Sequence, residues 1–566
     1  MSLSKCSIYL LIICALPGVI PAEDALPRFG LFDELEPLYP DSNLNLPQHD
    51  HTISTARGTT GAVHLLMSGL PSNQTLDMTV SLNGKPANKA AWYRLIDVPV
   101  EENTGLDSRT EQYTGSVNPY VIRRAPFRVY EPFAPITFPD RSDRNSLALR
   151  LEIPVEPDAM PGPRQYDILC KVGNTQQTLT FIVQVYPAIV PSTSHSERYY
   201  TNWFSLTKIC RDHQLEKWSE PFWQMLEQYA RRMEKGRQNT FWFVFSDFFK
   251  IKDEMPVLQQ ERLERYIRLF LNAGFKAIEG APFARRKGGD WSSNVIEITQ
   301  TKVPAGSDLG KKQIASMLSQ LQSVMQKNGW QSRWMQHIAD EPTDVLADDY
   351  KKVAEFIHTN IQGVPIIDAS MSIALTGGID IWCPQVQEYQ KHRTFFEQRQ
   401  ADGDQVWVYT CLVPGGRWLN RLLDQERLRP VYLGWSLVKY DLGGFLHWGL
   451  NHHHGNPFEQ SVVQHPQGAD NNHLPAGDTH ILYPGKTGPL SSVRFEAHRI
   501  GMEDAELLAQ LKARSPEQYR IIMNMVLRAF DDYETDVTVY RKAKTRLLNT
   551  LENSIRRHGK EAGSIE

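Results

Sequence analysis

The feature that most constrains the fold begins after Pro191, where strand-like and helix-like runs start to alternate. Eight short apolar runs read as strands: Arg198–Phe204, Thr240–Phe245, Phe275–Glu279, Arg333–Ala339, Pro365–Ala369, Ile379–Trp382, Gln405–Tyr409 and Gly443–Trp448. Amphipathic runs separate most of them, at Gln214–Glu234, Gln259–Asn272, Lys311–Lys327, Asp344–Asn360, Gln387–Gln400 and Leu419–Lys439. A strand cannot return to pair in parallel with the next one without a crossover, so this alternation predicts βα units on a parallel sheet. Eight units over about 250 residues match a (β/α)8 barrel. The alternative, an open doubly wound sheet, usually carries a Gly-rich phosphate turn after its first strand, and Trp203-Phe204-Ser205-Leu206 is not one.

Upstream the texture differs. Residues 23 to about 60 are Pro-, Asp- and Asn-rich and read as an irregular lead-in. From Gly61 to Pro191, short alternating runs such as Leu147–Ile153 and Thr178–Val185 are split by turn signals such as Asn83-Gly84 and Gly173-Asn174, a pattern that predicts an antiparallel β-sandwich. Met1–Ala22 has an early lysine, an apolar stretch and a small residue before Glu23, and reads as a cleavable signal peptide that would send the protein to the periplasm or outside the cell. No later segment is apolar enough for stable membrane insertion. The expected organisation is therefore signal peptide 1–22, sandwich with lead-in 23–191, catalytic barrel 192–503 and helical extension 504–566.

Composition excludes some partners. With 61 Lys+Arg against 65 Asp+Glu the net charge is −4, so a nucleic-acid partner is not expected. Cys170, Cys210, Cys383 and Cys411 show no metal-type spacing, and they read as free thiols more readily than as a disulfide. Consecutive His452-His453-His454 cannot all ligate one ion, so no metal and no cofactor is expected, and these histidines read as polar rim residues. No G-x-S-x-G elbow occurs.

The densest chemistry is Ile338-Ala339-Asp340-Glu341-Pro342, an apolar run ending in two carboxylates and a ladder-stopping proline. At a strand end these suit acid/base work on a glycosidic bond. Adjacent strand residues point to opposite faces, so both acids can meet one substrate only if the strand is ending there. The competing reading is a helix start, with Asp340 or Thr343 as N-cap. Other strand ends carry Asn202-Trp203, Glu279, Asp368, Trp382, Tyr409 and Trp448 with Asn451, and a basic loop holds Arg285-Arg286.

These residues resemble glycoside hydrolase family 123 and its less characterised relatives. The resemblance rests on Asp340-Glu341-Pro342, on Phe275–Gly280 with Arg285, on Asp380–Pro384, Tyr409–Gly416 and Gly443–Asn451, and on Tyr483-Pro484-Gly485 with Ser492–Asp504. It implies a β-sandwich followed by a (β/α)8 barrel, and exo-acting β-N-acetylgalactosaminidase activity with retention. The substrate's own 2-acetamido oxygen would attack C1 and form an oxazolinium. Asp340 would hold the acetamido N–H and stay ionised, and Glu341, with a raised pKa, would move the proton. Glu279, Arg285, Trp382, Tyr409, Trp448 and Asn451 would bind the carbohydrate, a glycan or a glycolipid headgroup. Two other readings stay open: a glycosidase for a sugar without the acetamido group, using Glu279 or Asp368 as nucleophile, and a non-catalytic carbohydrate-binding surface protein. Oligomeric state is not legible in the sequence.

Overall fold

The computed structural model describes residues 26–42, 44, 50–465 and 471–562; the expected signal peptide lies outside them. The N-terminal region forms two large β-sheets that share a hydrophobic core. Thr175–Ile189 shows how sequence dictates this: Leu179, Phe181, Val183 and Val185 alternate inward while Thr178, Thr180 and Gln184 face outward. Gly173, at φ +55°, supplies the left-handed residue of the tight turn that pairs this strand with Gly162–Val172.

The lead-in is more ordered than expected. Arg28–Asp33 pairs antiparallel with Thr59–Ser68, and Asp50–Arg57 pairs in parallel with Thr175–Ile189. Their polar composition hides them because each lies at the edge of its sheet.

After Pro191 the eight expected strands all form, six of them shortened by one to four residues, at Tyr199–Asn202, Thr240–Phe243, Ala277–Gly280, Trp334–Gln336, Ile367–Ser370, Ile381–Pro384, Gln405–Val406 with Val408–Thr410, and Gly444–His447. All their ladders are parallel. Several are buried at every residue, as strands covered on both faces must be. The hydrogen bonds group them into three three-stranded sheets rather than one eight-stranded sheet, short of the barrel expected. Intervening helices are amphipathic; Asp308–Lys327, capped by Ser307 Oγ accepting from the Gly310 amide at 3.1 Å, buries Ile314, Met317, Leu318, Leu321 and Val324.

The alternating run Ser492–Ala497 is strand-like in sequence. The strand Pro489–Ser492 stops there, and Ser492 Oγ accepts from the Phe495 amide at 3.2 Å and starts the helix Val493–Arg514. The cap overrides the β preference of Val493 and Phe495. This strand also joins the N-terminal seven-stranded sheet by pairing with Phe127–Pro135. Ion pairs of Arg494 to Glu131 at 2.6 Å and Arg541 to Asp33 at 2.7 Å tie the N-terminal sheets to the C-terminal helices, while Arg150 pairs with Glu34 and Glu152 at 2.9 Å each within the N-terminal region. The C-terminal helices Pro516–Val526 and Val537–Ala562 flank a small hairpin, Leu527–Ala529 with Asp532–Tyr533. Among the described residues no helix is long and apolar enough to cross a membrane.

Candidate active site

The local backbone explains how two neighbouring acids face one space. The ladder of Trp334–Gln336 ends at Gln336, and Glu341 takes a left-handed conformation, φ +49°. For a side chain other than glycine this is costly and needs outside support. Arg286 supplies it, donating to the Asp340 carbonyl at 3.2 Å and the Glu341 carbonyl at 2.7 Å while stacking on Trp291 at 3.6 Å. The turn breaks strand alternation and brings both carboxylates to the same cavity. The helix-start reading is excluded for Asp340: the next helical turn begins at Asp344, and Thr343, in the cap position, makes no side-chain cap bond.

That cavity has a volume of about 320 Å³ and lies at the carboxyl ends of the parallel strands. Trp203, Tyr409 and Trp448 line it, with Leu412, Leu446 and Leu474. Tyr409 donates to Glu341 Oε1 at 2.5 Å, and Trp448 Nε1 donates to Asp478 at 3.2 Å. Trp203 is stacked on Trp242 with ring centres 4.7 Å apart, so it is a fixed wall. A groove of about 510 Å³ between the helices Glu220–Lys235 and Gln260–Asn272 is larger, but its acids and bases pair on the surface, as Arg265 does with Glu220.

Asp340 is open to the cavity yet ringed by protein, so a substrate can reach it while bulk water hydrates it poorly. That poor hydration pushes both acids above the usual carboxylate range; for Asp340 the adjacent Glu341 charge adds to the rise, and for Glu341 the Tyr409 hydrogen bond opposes it. The rise is therefore shared by Asp340, rather than confined to Glu341 as the resemblance implies.

Below the cavity lies a second, fully buried acid set. His337 bonds Asp368 through Nδ1 at 2.8 Å and Glu279 through Nε2 at 2.9 Å. Burial alone would lower the His337 pKa, but the two carboxylates lift it to about 10, so it is an imidazolium. Glu279 also accepts from Thr201 and Trp203 at 2.7 Å each. Asp368 accepts from the Ile338 and Ala339 amides at 3.0 and 3.3 Å, which anchors the segment leading into Asp340.

The model of the glycoside hydrolase 123 catalytic domain matches residues 203–511, more than half of the chain. The chain belongs to glycoside hydrolase family 123. It is a glycosidase acting on a carbohydrate substrate. A family 123 glycoside hydrolase from Clostridium perfringens, described for glycolipid glycan hydrolysis, shares its fold at a TM-score of 0.70 and 15% identity, over 95% of this chain and 100% of that one. A β-glucuronidase from Parabacteroides merdae reaches only 0.29 at 12% identity, over 76% and 49% of the two chains. An endo-β-1,4-mannanase from Thermotoga petrophila reaches 0.33 at 11%, over 56% and 78%. No curated protein matches.

In this family 123 enzyme the expected site residues separate into two groups. Asp340, Glu341, Tyr409 and Trp448 meet at the cavity. The other four do not line it. Glu279 is bound up beneath the floor with His337. Trp382 is fully buried against Phe395 and Phe396 and donates to Asp404 at 2.8 Å. Arg285 pairs with Glu297 at 2.9 Å, leaving Arg286 as the arginine that touches the acid turn. Asn451 uses both ends of its amide on the Ser205 backbone, at 2.9 and 3.2 Å. Trp203, Lys208, His452 and His454 line the cavity without having been selected as site residues. Among the described residues no group of three or more His, Cys, Asp or Glu is placed to hold a metal. Cys170, Cys210, Cys383 and Cys411 are free.

Proposed function

We propose that this glycosidase is an exported, exo-acting β-N-acetylgalactosaminidase that retains configuration through the substrate's own acetamido group. One observation carries this reading: among the described residues lining the cavity, Asp340 and Glu341 are the only acids, and they are adjacent in sequence. Glu341, its pKa raised by burial, would protonate the glycosidic oxygen as the acetamido oxygen attacks C1 and the C1–O bond breaks. Asp340 would accept the acetamido N–H and face the developing oxazolinium, a positive charge that favours its ionised form. Water would then give a proton to Glu341 and attack C1, reopening the ring. Aromatic walls suit the C–H face of a sugar, and a confined cavity suits a chain end better than a chain interior. A glycan or a glycolipid headgroup is the proposed substrate, after the subject of the C. perfringens enzyme.

The reading with a separate nucleophile loses support because Glu279 and Asp368 are buried and paired with His337. Release of nitrophenol from the β-N-acetylgalactosaminide, blocked by a thiazoline mimic of the oxazolinium, is the expected result. Faster release from a plain galactoside, insensitive to thiazoline, would point to the alternative glycosidase; glycan binding without any turnover would point to a carbohydrate-binding protein.

We also infer that the eight parallel strands close into a (β/α)8 barrel within the catalytic unit 192–503. Single parallel bridges, Gln336 with Ile366 and Gln385 with Tyr409, join the three ladders, and the Asn239 amide donates to the Tyr200 carbonyl at 3.2 Å between the first two strands.

A further inference from the structure

Part of the cavity wall is basic, and among the described residues no carboxylate is bonded to its lysine. Lys208, His452 and His454 all line it. Among the described residues the Lys208 ammonium has no hydrogen bond and no ion pair, and its neighbouring carboxylate Asp212 is engaged by His453 at 2.9 Å and by Arg211 at 2.8 Å. His452 Nε2 is sealed from solvent and has no partner. Burial and the Arg211 charge lower the Lys208 pKa; burial, then Lys208 itself, holds His452 down to about 4, so its imidazole is neutral and carries one N–H.

The cluster is built rather than incidental. Two segments distant in sequence, the stretch at Ser205–Asp212 and the loop at Asn451–His454, are joined twice. The Asn451 amide clasps the Ser205 backbone at 2.9 and 3.2 Å, and His453 pairs with Asp212. Those joints hold Lys208 beside His452 whether or not a ligand is present. The charges acting on Asp340 are instead Glu341, Asp368, His337 and Arg286, so the basic group is a separate pole of the same cavity.

We propose that Lys208, with His452 and His454, forms a subsite for an oxyanion carried by the substrate, either a sulfate ester on the reacting sugar or the carboxylate of the adjoining sugar. Such a group would bring the ammonium a bonded counter-charge and accept a hydrogen bond from it. This rests on the glycosidase reading above and names the substrate class it would take.

The test compares kcat/KM of the intact enzyme on nitrophenyl β-N-acetylgalactosaminide, on its 4- and 6-sulfates, and on the same sugar linked to a uronic acid. A preference of about tenfold or more for one charged substrate is expected, weakening as salt rises. The sulfate arm and the uronate arm distinguish the two sources. Lys208→Met should remove the preference and Lys208→Arg should keep it. Equal values for neutral and charged substrates, or an unchanged preference in Lys208→Met, would overturn the subsite. If no glycoside is hydrolysed, the proposed function fails and binding decides the subsite. Calorimetry on the Glu341→Gln protein should show the 6-sulfate of N-acetylgalactosamine binding more tightly than the parent sugar, and no difference would overturn it.

Discussion

Two sets of acids sit on three neighbouring parallel strands, and their surroundings differ. Glu279 and Asp368 are buried, share the His337 imidazolium and accept further hydrogen bonds from Thr201, Trp203, Tyr350 and backbone amides. Asp340 and Glu341 face a cavity, and among the described residues only Glu341 of the two has a side-chain donor to its carboxylate, the Tyr409 hydroxyl. The first set is compensated and works as scaffold. The second is under-compensated, and burial leaves it able to carry and move a proton. A carboxylate at a strand end is therefore not catalytic by position; what matters is whether its charge is already answered.

This contrast can be broken by experiment. The largest expected effect is Glu341→Gln, which should lower kcat by about 10³-fold or more with the unfolding midpoint nearly unchanged. Loss of folding in that variant would place Glu341 with the scaffold acids instead. His337→Phe should do the reverse: it leaves two buried carboxylates without their counter-ion and should cost about 3–5 kcal/mol in urea unfolding. A fully stable His337→Phe protein would show that the buried set needs no compensation. Asp340→Asn should lower kcat by about 10²-fold with KM changed less, because under the proposed mechanism its contribution would grow as the oxazolinium charge develops. The smallest effect is expected from Tyr409→Phe. The Tyr409 hydrogen bond lowers the Glu341 pKa, so removing it raises that pKa. A general acid must be protonated, so activity is lost as pH rises through its pKa; the alkaline limb of kcat/KM should move to higher pH in Tyr409→Phe. A limb that moves down or stays fixed would assign it to another group.

Much of the site was legible because it is local. The strand alternation, the Asp340-Glu341-Pro342 stop and the aromatic strand ends at Tyr409 and Trp448 each lie within a few residues. The misplaced residues share one cause: a strand end says where a side chain starts but not which way it points. Ile381 and Cys383 turn inward with Tyr409 and Leu446, so Trp382 between them turns outward onto the helices. Glu279 follows the inward phase of Ala277, but one layer too deep to reach the cavity. The Arg285 and Arg286 side chains likewise separate, one to Glu297 and the other to the acid turn. Lys208 could not have been found this way, because it becomes a cavity residue only when Asn451 pins its segment to a loop more than two hundred residues later.

The sequence by itself determined the alternation of eight strands with helices after Pro191, the parallel pairing of those eight strands and the adjacency of the two acids, since each follows from periodicity or from neighbouring bonds. Tertiary structure alone decided which charges are answered. The left-handed turn at Glu341, the Arg286 support, the His337 pairings and the unpaired Lys208 all depend on contacts between distant segments. A carboxylate's proton affinity is set by what surrounds it in space, and that is not written in its neighbours along the chain.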